Sequence, residues 1–390
     1  MTRQDDIFSG EDEIETSVVH DGEKRPLVEG AVTLPIFQSS TFEYAGEDNY
    51  DDIRYIRLNN TPNHLALGGK IASLEKAEAG MVMSSGMAAI STALMTVLSP
   101  GDHLLALAGL YGGTHDLLSN YLSRFGIDHD WVDGRDVSEW ERKLRPETKA
   151  FYVESITNPL MQVPDLPGVV GFAADNQLLS LIDNTFATPV NFRPLELGFD
   201  LVLHSATKYL NGHSDIVGGA VAGSGSLIKN ITSNLNLLGG SMDPHTCFLL
   251  HRGMKTLLVR VRHQNTSAAK IATFLDQHSS VKRVYYPGLV GCCGHSTAKS
   301  FFGGYGGMLS FELSGGEEDT NRFMERLRLP ILAPSLGGVE SLVVLPAKTT
   351  HAGLSARERE AIGIPETLIR FSVGIESTSD LILDLEQALA

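Results

Sequence analysis

Residues 178–219, LLSLIDNTFATPVNFRPLELGFDLVLHSATKYLNGHSDIVGG, constrain the fold more than any other stretch of the chain. Two apolar runs, 178–182 and 201–204, have the length and turn-bounded form of buried strands. The first ends on Asp183, the second on Ser205, Thr207 and Lys208. Between them lie Pro189, Pro194 and a helix-like PLELG, enough chain for a right-handed crossover between parallel strands. Open parallel sheets bind ligands at the carboxyl ends of their strands. An acid, two hydroxyls and an amine therefore converge on one crevice of an α/β fold.

Those groups suit an organic cofactor with an aldehyde, a ring nitrogen and a phosphate, a description that pyridoxal phosphate (PLP) meets. Lys208 would form the imine, Asp183 would keep the pyridine nitrogen protonated, and Ser205 and Thr207 would bond phosphate oxygens. A snorkelling lysine and a turn-capping aspartate would explain either residue alone. They do not explain four groups at two neighbouring strand ends.

Upstream, MVMSSGMAAIS predicts a strand at 81–83, an N-cap at Ser84 or Ser85, and a helix after it. Gly86 lets the backbone approach closely, so the amides of Gly86 and Met87 form an anion site that completes a phosphate cup. Tyr111 follows a strand at 103–107, and Glu154 and Asn158 follow one at 149–153. Tyr55 and Arg57 are one residue apart, so an extended segment would point both to the same side. Helices are expected at 11–19 and 63–79, a turn at 237–241 and a long amphipathic helix at 254–278. Beyond it come strands near 281–286, 307–313, 341–345 and 368–373, with helices near 317–328 and 377–389. That order suggests a smaller α/β domain with a mostly antiparallel sheet. The expected division is an oligomerisation arm at 1–60, a cofactor-binding domain at 61–253 and a small domain at 254–390. Cys292, Cys293 and His295 lack metal-finger spacing and are read as a loop, so no metal is expected. FGGYGGM opens a strand rather than a helix and is no phosphate fingerprint.

DNTFATP followed by LVLHSATKYLNGHSDIVGG resembles the cofactor-lysine segment of the Cys/Met-metabolism PLP enzymes, the trans-sulfuration family. That family includes cystathionine γ-synthase, cystathionine γ-lyase, cystathionine β-lyase and methionine γ-lyase, and the resemblance runs from about residue 32 to the C-terminus. It implies a PLP-dependent transferase fold (fold type I), with a large, mostly parallel seven-stranded-type sheet domain and a smaller C-terminal α/β domain. It also implies a homotetramer built from two dimers that share active sites.

The resemblance implies roles as well. Lys208 and Tyr111 would be catalytic, with Tyr111 stacked on the cofactor ring. Tyr55 and Arg57 would reach the neighbouring subunit's cofactor phosphate, and Asn158 would sit beside the cofactor's phenolic oxygen and touch the substrate carboxylate. Arg370 would clamp that carboxylate, with backbone contacts lent by Ser335. Gly113 matches cystathionine γ-lyases, where methionine γ-lyases carry Cys, whereas Pro334 matches plant-type γ-synthases. Asn59, Asn60, Thr61 and Pro62 depart from the family's Gly-Asn-Pro-Thr pattern. The implied activity is a carbon–sulfur lyase acting on cystathionine or a related sulfur amino acid. The alternatives are γ-replacement on an O-acylated homoserine and, after that, methionine γ-lysis.

Composition excludes other classes. With 31 basic against 47 acidic residues the formal charge is −16, which repels nucleic acid and anionic membranes. No apolar run approaches a bilayer span, and the acidic start MTRQDDIFSGEDEIET lacks the order of a secretion signal. Three cysteines make no disulfide framework, so a reducing, cytoplasmic setting is expected.

Overall fold

The computed structural model describes residues 13–23, 27–349, 352 and 355–390. The acidic segment 1–12 lies outside the described residues, as do the first two residues of the helix expected at 11–19; the helix seen there is Ile14–His20.

The first sheet has seven strands: β1 (Ala79–Met83), β2 (His103–Leu107), β3 (Asp128–Val132), β4 (Thr148–Glu154), β5 (Leu179–Asp183), β6 (Leu201–Ser205) and β7 (Gly219–Gly223). Their order is β1-β7-β6-β5-β4-β2-β3. The run from β6 through β5, β4 and β2 to β3 is parallel, while β7 is antiparallel to both β6 and β1. The core strands are continuous apolar runs because both sheet faces are covered; all five residues of β2 are buried. In register, Glu154 lies opposite Asp183 and Asp183 opposite Leu203, so β4, β5 and β6 end together.

A second sheet is built from β8 (Val281–Tyr285), β9 (Met308–Leu313), β10 (Ile331–Leu332), β11 (Leu342–Val344) and β12 (Ile369–Ser372), in the order β10-β11-β12-β9-β8. Only the β10–β11 pair is parallel. Helix Leu257–Gln277 joins the two layers. Its Leu257, Leu258 and Val261 pack into the core of the first sheet, whereas Ala268, Ile271, Ala272 and Leu275 pack into that of the second.

Three local expectations are corrected. The helix expected at 63–79 is Pro62–Glu75: Lys76 turns left-handed (φ 54) and residues from Ala79 onward join the sheet. The helix expected at 254–278 is Leu257–Gln277, and a helix the sequence does not announce, Pro244–Met254, precedes it. Asp243 caps this earlier helix by accepting from the amides of His245 and Thr246, and Pro244 occupies its first turn. The turn expected at 237–241 is preceded by an unforeseen helix, Gly225–Leu238, which Gly239 ends in the left-handed region. Among the described residues no helix is long and apolar enough to cross a membrane.

Candidate active site

The carboxyl ends of β4, β5 and β6 open on a cavity of about 420 Å³. All the site residues expected from the sequence line it, except Tyr55 and Arg57. Helix Gly86–Val97 starts at its edge. The Ser85 hydroxyl accepts from the Ala88 amide at 2.9 Å, which leaves the amides of Gly86 and Met87 open toward the cavity at the positive helix end. A Cβ on Gly86 would lie 2.9 Å from Ser205 Cβ and Oγ, so only glycine lets this helix start approach β6. Thr207 Oγ1 accepts from the Gly218 amide at 3.0 Å and lies 3.2 Å from the Gly218 carbonyl oxygen.

Asp183 is buried at the end of β5, and its Oδ1 accepts from the Thr185 amide at 2.9 Å. Burial raises its pKa. Glu154, opposite it at the end of β4, accepts from the Tyr111 amide at 2.7 Å. Burial, with the Asp183 charge added, pushes Glu154 well above the usual carboxylate range. Both directions favour the protonated forms, more strongly at Glu154, and a ring N–H⁺ held against Asp183 would draw that group back toward the carboxylate. The sequence reading placed Glu154 at a strand end without a role; its register with Asp183 is the signal that marks it.

Lys208 Nζ donates to Ser335 Oγ at 2.8 Å. Burial, then the Arg370 charge, lowers the Lys208 pKa to about 8, so the neutral amine is a minor form at pH 7, roughly a tenth, and far more populated than in an ordinary lysine. Arg370, on β12, is 2% exposed. It donates to Asn158 Oδ1 at 3.0 Å and to the Ser335 carbonyl oxygen at 3.1 Å. Ser335 therefore supplies the backbone contact expected beside Arg370 and also a side-chain contact to Lys208. It does so at φ 90, a strained conformation for a residue with a Cβ.

Tyr111 stands at the cavity mouth with its ring partly exposed, and the helix Gly112–Asp116 turns the chain behind it. A Cβ on Gly113 would lie 2.6 Å from Tyr111 Cε1 and 3.0 Å from Met87 Sδ. Ile90, Ile156, Phe186 and Val217, none of them singled out in the sequence, give the cavity its apolar walls.

Tyr55 and Arg57 do not share an extended face. Tyr55 is extended and bridges Thr41, but Ile56–Leu58 is a 3-10 turn. Asn60 Oδ1 accepts from the Tyr55 amide, and left-handed Asn59 (φ 56) bends the chain toward helix Pro62–Glu75. Within this chain Arg57 donates to the Asn236 carbonyl oxygen and to Tyr50 Oη, both at 2.7 Å, outside the cavity. In the 292–295 loop, Cys292 Sγ accepts from the Tyr286 amide and His295 Nδ1 lies 2.8 Å from the Pro287 carbonyl oxygen. Among the described residues no group of three or more His, Cys, Asp or Glu could hold a metal ion.

The donor set fits PLP: open amides and the Ser205 and Thr207 hydroxyls for a dianionic phosphate, a buried carboxyl group for the ring nitrogen, and a lysine of lowered pKa for the aldehyde. A sheet of this topology with this cavity defines a PLP-dependent enzyme of fold type I. More narrowly, the chain belongs to the Cys/Met metabolism PLP-dependent enzyme family, whose pattern matches residues 15–390. It is 44% identical to a cystathionine β-lyase of Bacillus subtilis over 377 residues, 96% of each chain. It is 43% identical to a cystathionine γ-lyase of the same organism, covering 96% of this chain and 98% of that one. The structure of a cystathionine γ-synthase from Xanthomonas oryzae pv. oryzae, in complex with aminoacrylate and cysteine, superposes with a TM-score of 0.93 at 40% identity, covering 97% of both chains.

Gly86→Ala is expected to weaken PLP binding by roughly tenfold or more, because its Cβ must push Ser205 or the helix start away from the phosphate. Equilibrium dialysis against PLP reads the effect; an unchanged affinity would mean that the phosphate sits elsewhere.

Proposed function

We propose that this enzyme is a PLP-dependent carbon–sulfur lyase that eliminates the γ or β substituent of cystathionine or a related sulfur amino acid. The observation that carries the reading is the hydrogen-bonded chain at the cavity wall from Lys208 through Ser335 and Arg370 to Asn158. PLP, when bound, supplies an aldehyde carbon for the substrate amine and a ring that takes up electrons from the substrate Cα.

The chain's own residues do the rest. Gly86, Met87, Ser205 and Thr207 hold the phosphate, with Tyr55 and Arg57 contributed from a neighbouring subunit, and Asp183 keeps the ring nitrogen protonated. Arg370 grips the α-carboxylate and Asn158 steadies it, so the Cα–H bond is presented to Lys208. The neutral Lys208 amine would take that proton and hand it on along the cofactor face, which returns the amine to its neutral form; where a γ-substituent is to leave, it would then take a β-proton, and Tyr111 would hand a proton to the departing sulfur. Ile156, Phe186 and Val217 keep water from the reacting carbons.

A second reading is γ-replacement, which joins an O-acylated homoserine to cysteine. It is favoured by Pro334, which lines the cavity where a carboxylate could otherwise stand. Methionine γ-lysis is third, since a side chain at 113 would displace Tyr111 and Met87. The working assembly in this reading is a homotetramer of two dimers in the cytoplasm. Its chain divides into an arm at 1–60, a cofactor domain at 61–253 and a small domain at 254–390.

Supplied with cystathionine, the enzyme is expected to release ammonia, a 2-oxo acid and a thiol. Cystathionine formation from an acylated homoserine and cysteine, without oxo-acid release from cystathionine, would replace the lyase reading with the second one.

A further inference from the structure

Directly behind the cavity lies a buried cation that the chemistry above does not use. Arg260, on helix Leu257–Gln277, is 3% exposed. Its guanidinium donates to the carbonyl oxygens of Tyr209 at 2.9 Å and Gly253 at 2.9 Å, and reaches that of Leu210 at 3.5 Å. Its Nε donates to Thr256 Oγ1 at 3.1 Å. Burial lowers its pKa to about 10, so it stays charged at neutral pH, and backbone dipoles meet that charge. Two of these carbonyls, of Tyr209 and Leu210, belong to the turn that follows Lys208, closed by the bond from the Gly212 amide to the Lys208 carbonyl oxygen at 2.7 Å; the third, of Gly253, belongs to helix Pro244–Met254. Gly212 itself (φ 73) must be glycine here, since a Cβ would overlap Arg260 Nη1 at 1.9 Å.

One helical turn further on, Gln264 is fully buried and donates from Nε2 to the Gly338 carbonyl oxygen at 2.8 Å. Residues four apart share a helix face, so the two side chains act from the same side of one rod. The segment Gln264 holds also carries Ser335, whose hydroxyl accepts from Lys208 Nζ. The two held segments touch: a Cβ on Gly337 (φ 74) would lie 2.8 Å from the Tyr209 amide nitrogen. Neither Arg260 nor Gln264 lines the cavity.

We propose that Arg260 and Gln264 are paired positioning residues: from one face of helix Leu257–Gln277 they fix the backbone bearing Lys208 against the backbone bearing Ser335, and so set where Nζ stands in the cavity. The cation is kept inside the protein because a single fork spans three carbonyls of two chain segments, which a neutral side chain does not reach. The inference rests on the reading that Lys208 carries the cofactor.

The test uses the holoenzyme with Arg260→Lys, Gln264→Met and both together. Three quantities are read: kcat against KM for cystathionine, the pH dependence of the cofactor's visible absorption, and the pH at which acetic anhydride half-labels Lys208 after PLP is removed. Each single variant is expected to lower kcat roughly tenfold or more while KM moves less than about twofold, because Arg370 and Asn158 are untouched. The labelling midpoint should rise from about 8 toward the ordinary lysine range as Nζ gains solvent. The double variant should lose less than the product of the singles, because both act on one geometry. Folded variants with wild-type kcat, absorption and labelling midpoint overturn the proposal. So does a drop in melting temperature alone, with the midpoint unmoved, which marks a purely structural role. If Arg260→Lys does not fold, Gln264→Met decides by the same criteria. The labelling arm needs no substrate, so its failure is separate from failure of the lyase reading. Retention of the visible band in Lys208→Ala would instead refute the cofactor reading beneath both.

Discussion

Lys208→Ala is expected to cost roughly 10³-fold or more in kcat and to abolish the visible absorption of the lysine-bound cofactor. The magnitude follows from the three duties that the proposed mechanism gives one nitrogen: fixing the cofactor, taking the Cα proton and moving that proton onward. No neighbour replaces it. Arg370 is a cation, Asp183 is engaged with Thr185, and Ser335 Oγ, at 2.8 Å from Nζ, has no basicity at neutral pH. The pKa works in the same direction. A Lys208 lowered to about 8 is roughly a tenth neutral at pH 7, where an ordinary lysine near 10.5 has almost none. In the cofactor-free protein its reactivity toward acylating reagents should therefore rise through pH 8, about two units below surface lysines. Steady-state rates and the absorption spectrum of the purified variant check the main claim. A variant that stays coloured and turns over within tenfold of wild type would remove Lys208 from the mechanism.

Arg370→Lys should lower kcat/KM by roughly 10²-fold, mostly through KM, because the ammonium keeps the charge but not the planar fork. The fork now spends one nitrogen on Asn158 and one on the Ser335 carbonyl, so shortening it also strands two acceptors. Burial makes this costly: at 2% exposure no bulk water reaches the vacated positions. The direct check is to compare an amino acid with its decarboxylated amine as ligands in a spectral titration. Wild type should prefer the amino acid strongly, and the variant should lose most of that preference. Equal loss for both ligands would mean that Arg370 supports the fold and not the carboxylate.

Much of the site was legible because its groups punctuate local structure. Asp183 and Ser205 end apolar runs of strand length, and Ser85-Gly86 is a recognisable helix start, so local chemistry alone brings the groups proposed to hold the cofactor to one sheet edge. The contribution of the second sheet was not legible that way. Ser335 and Arg370 stand 127 and 162 residues beyond Lys208, and no period or spacing predicts that they meet it. They came only from resemblance. β7, Gly219–Gly223, is GAVAG: at Gly219 a Cβ would fall 2.1 Å from the Ser85 carbonyl oxygen, and such small residues leave no long apolar run to read. Arg57 misled because Tyr-x-Arg alternation suggests an extended segment, whereas the hydrogen bonds of Asn60 and the left-handed Asn59 impose a turn. Tertiary contacts overrode the local pattern at each of these points.

Burial alone does not identify the cofactor lysine. Lys70 is more deeply buried than Lys208 and has its pKa lowered to about 8 as well, but its Nζ donates to the Val18 carbonyl oxygen at 2.9 Å, away from the cavity. Geometry separates the two, and a single chemical experiment distinguishes them. Borohydride treatment of the PLP-loaded protein, followed by digestion and mass spectrometry, fixes the cofactor to whichever lysine holds it. The phosphopyridoxyl mass should appear on the peptide containing Lys208 and on no other. Its appearance at Lys70, or at any lysine outside the cavity, would contradict the account.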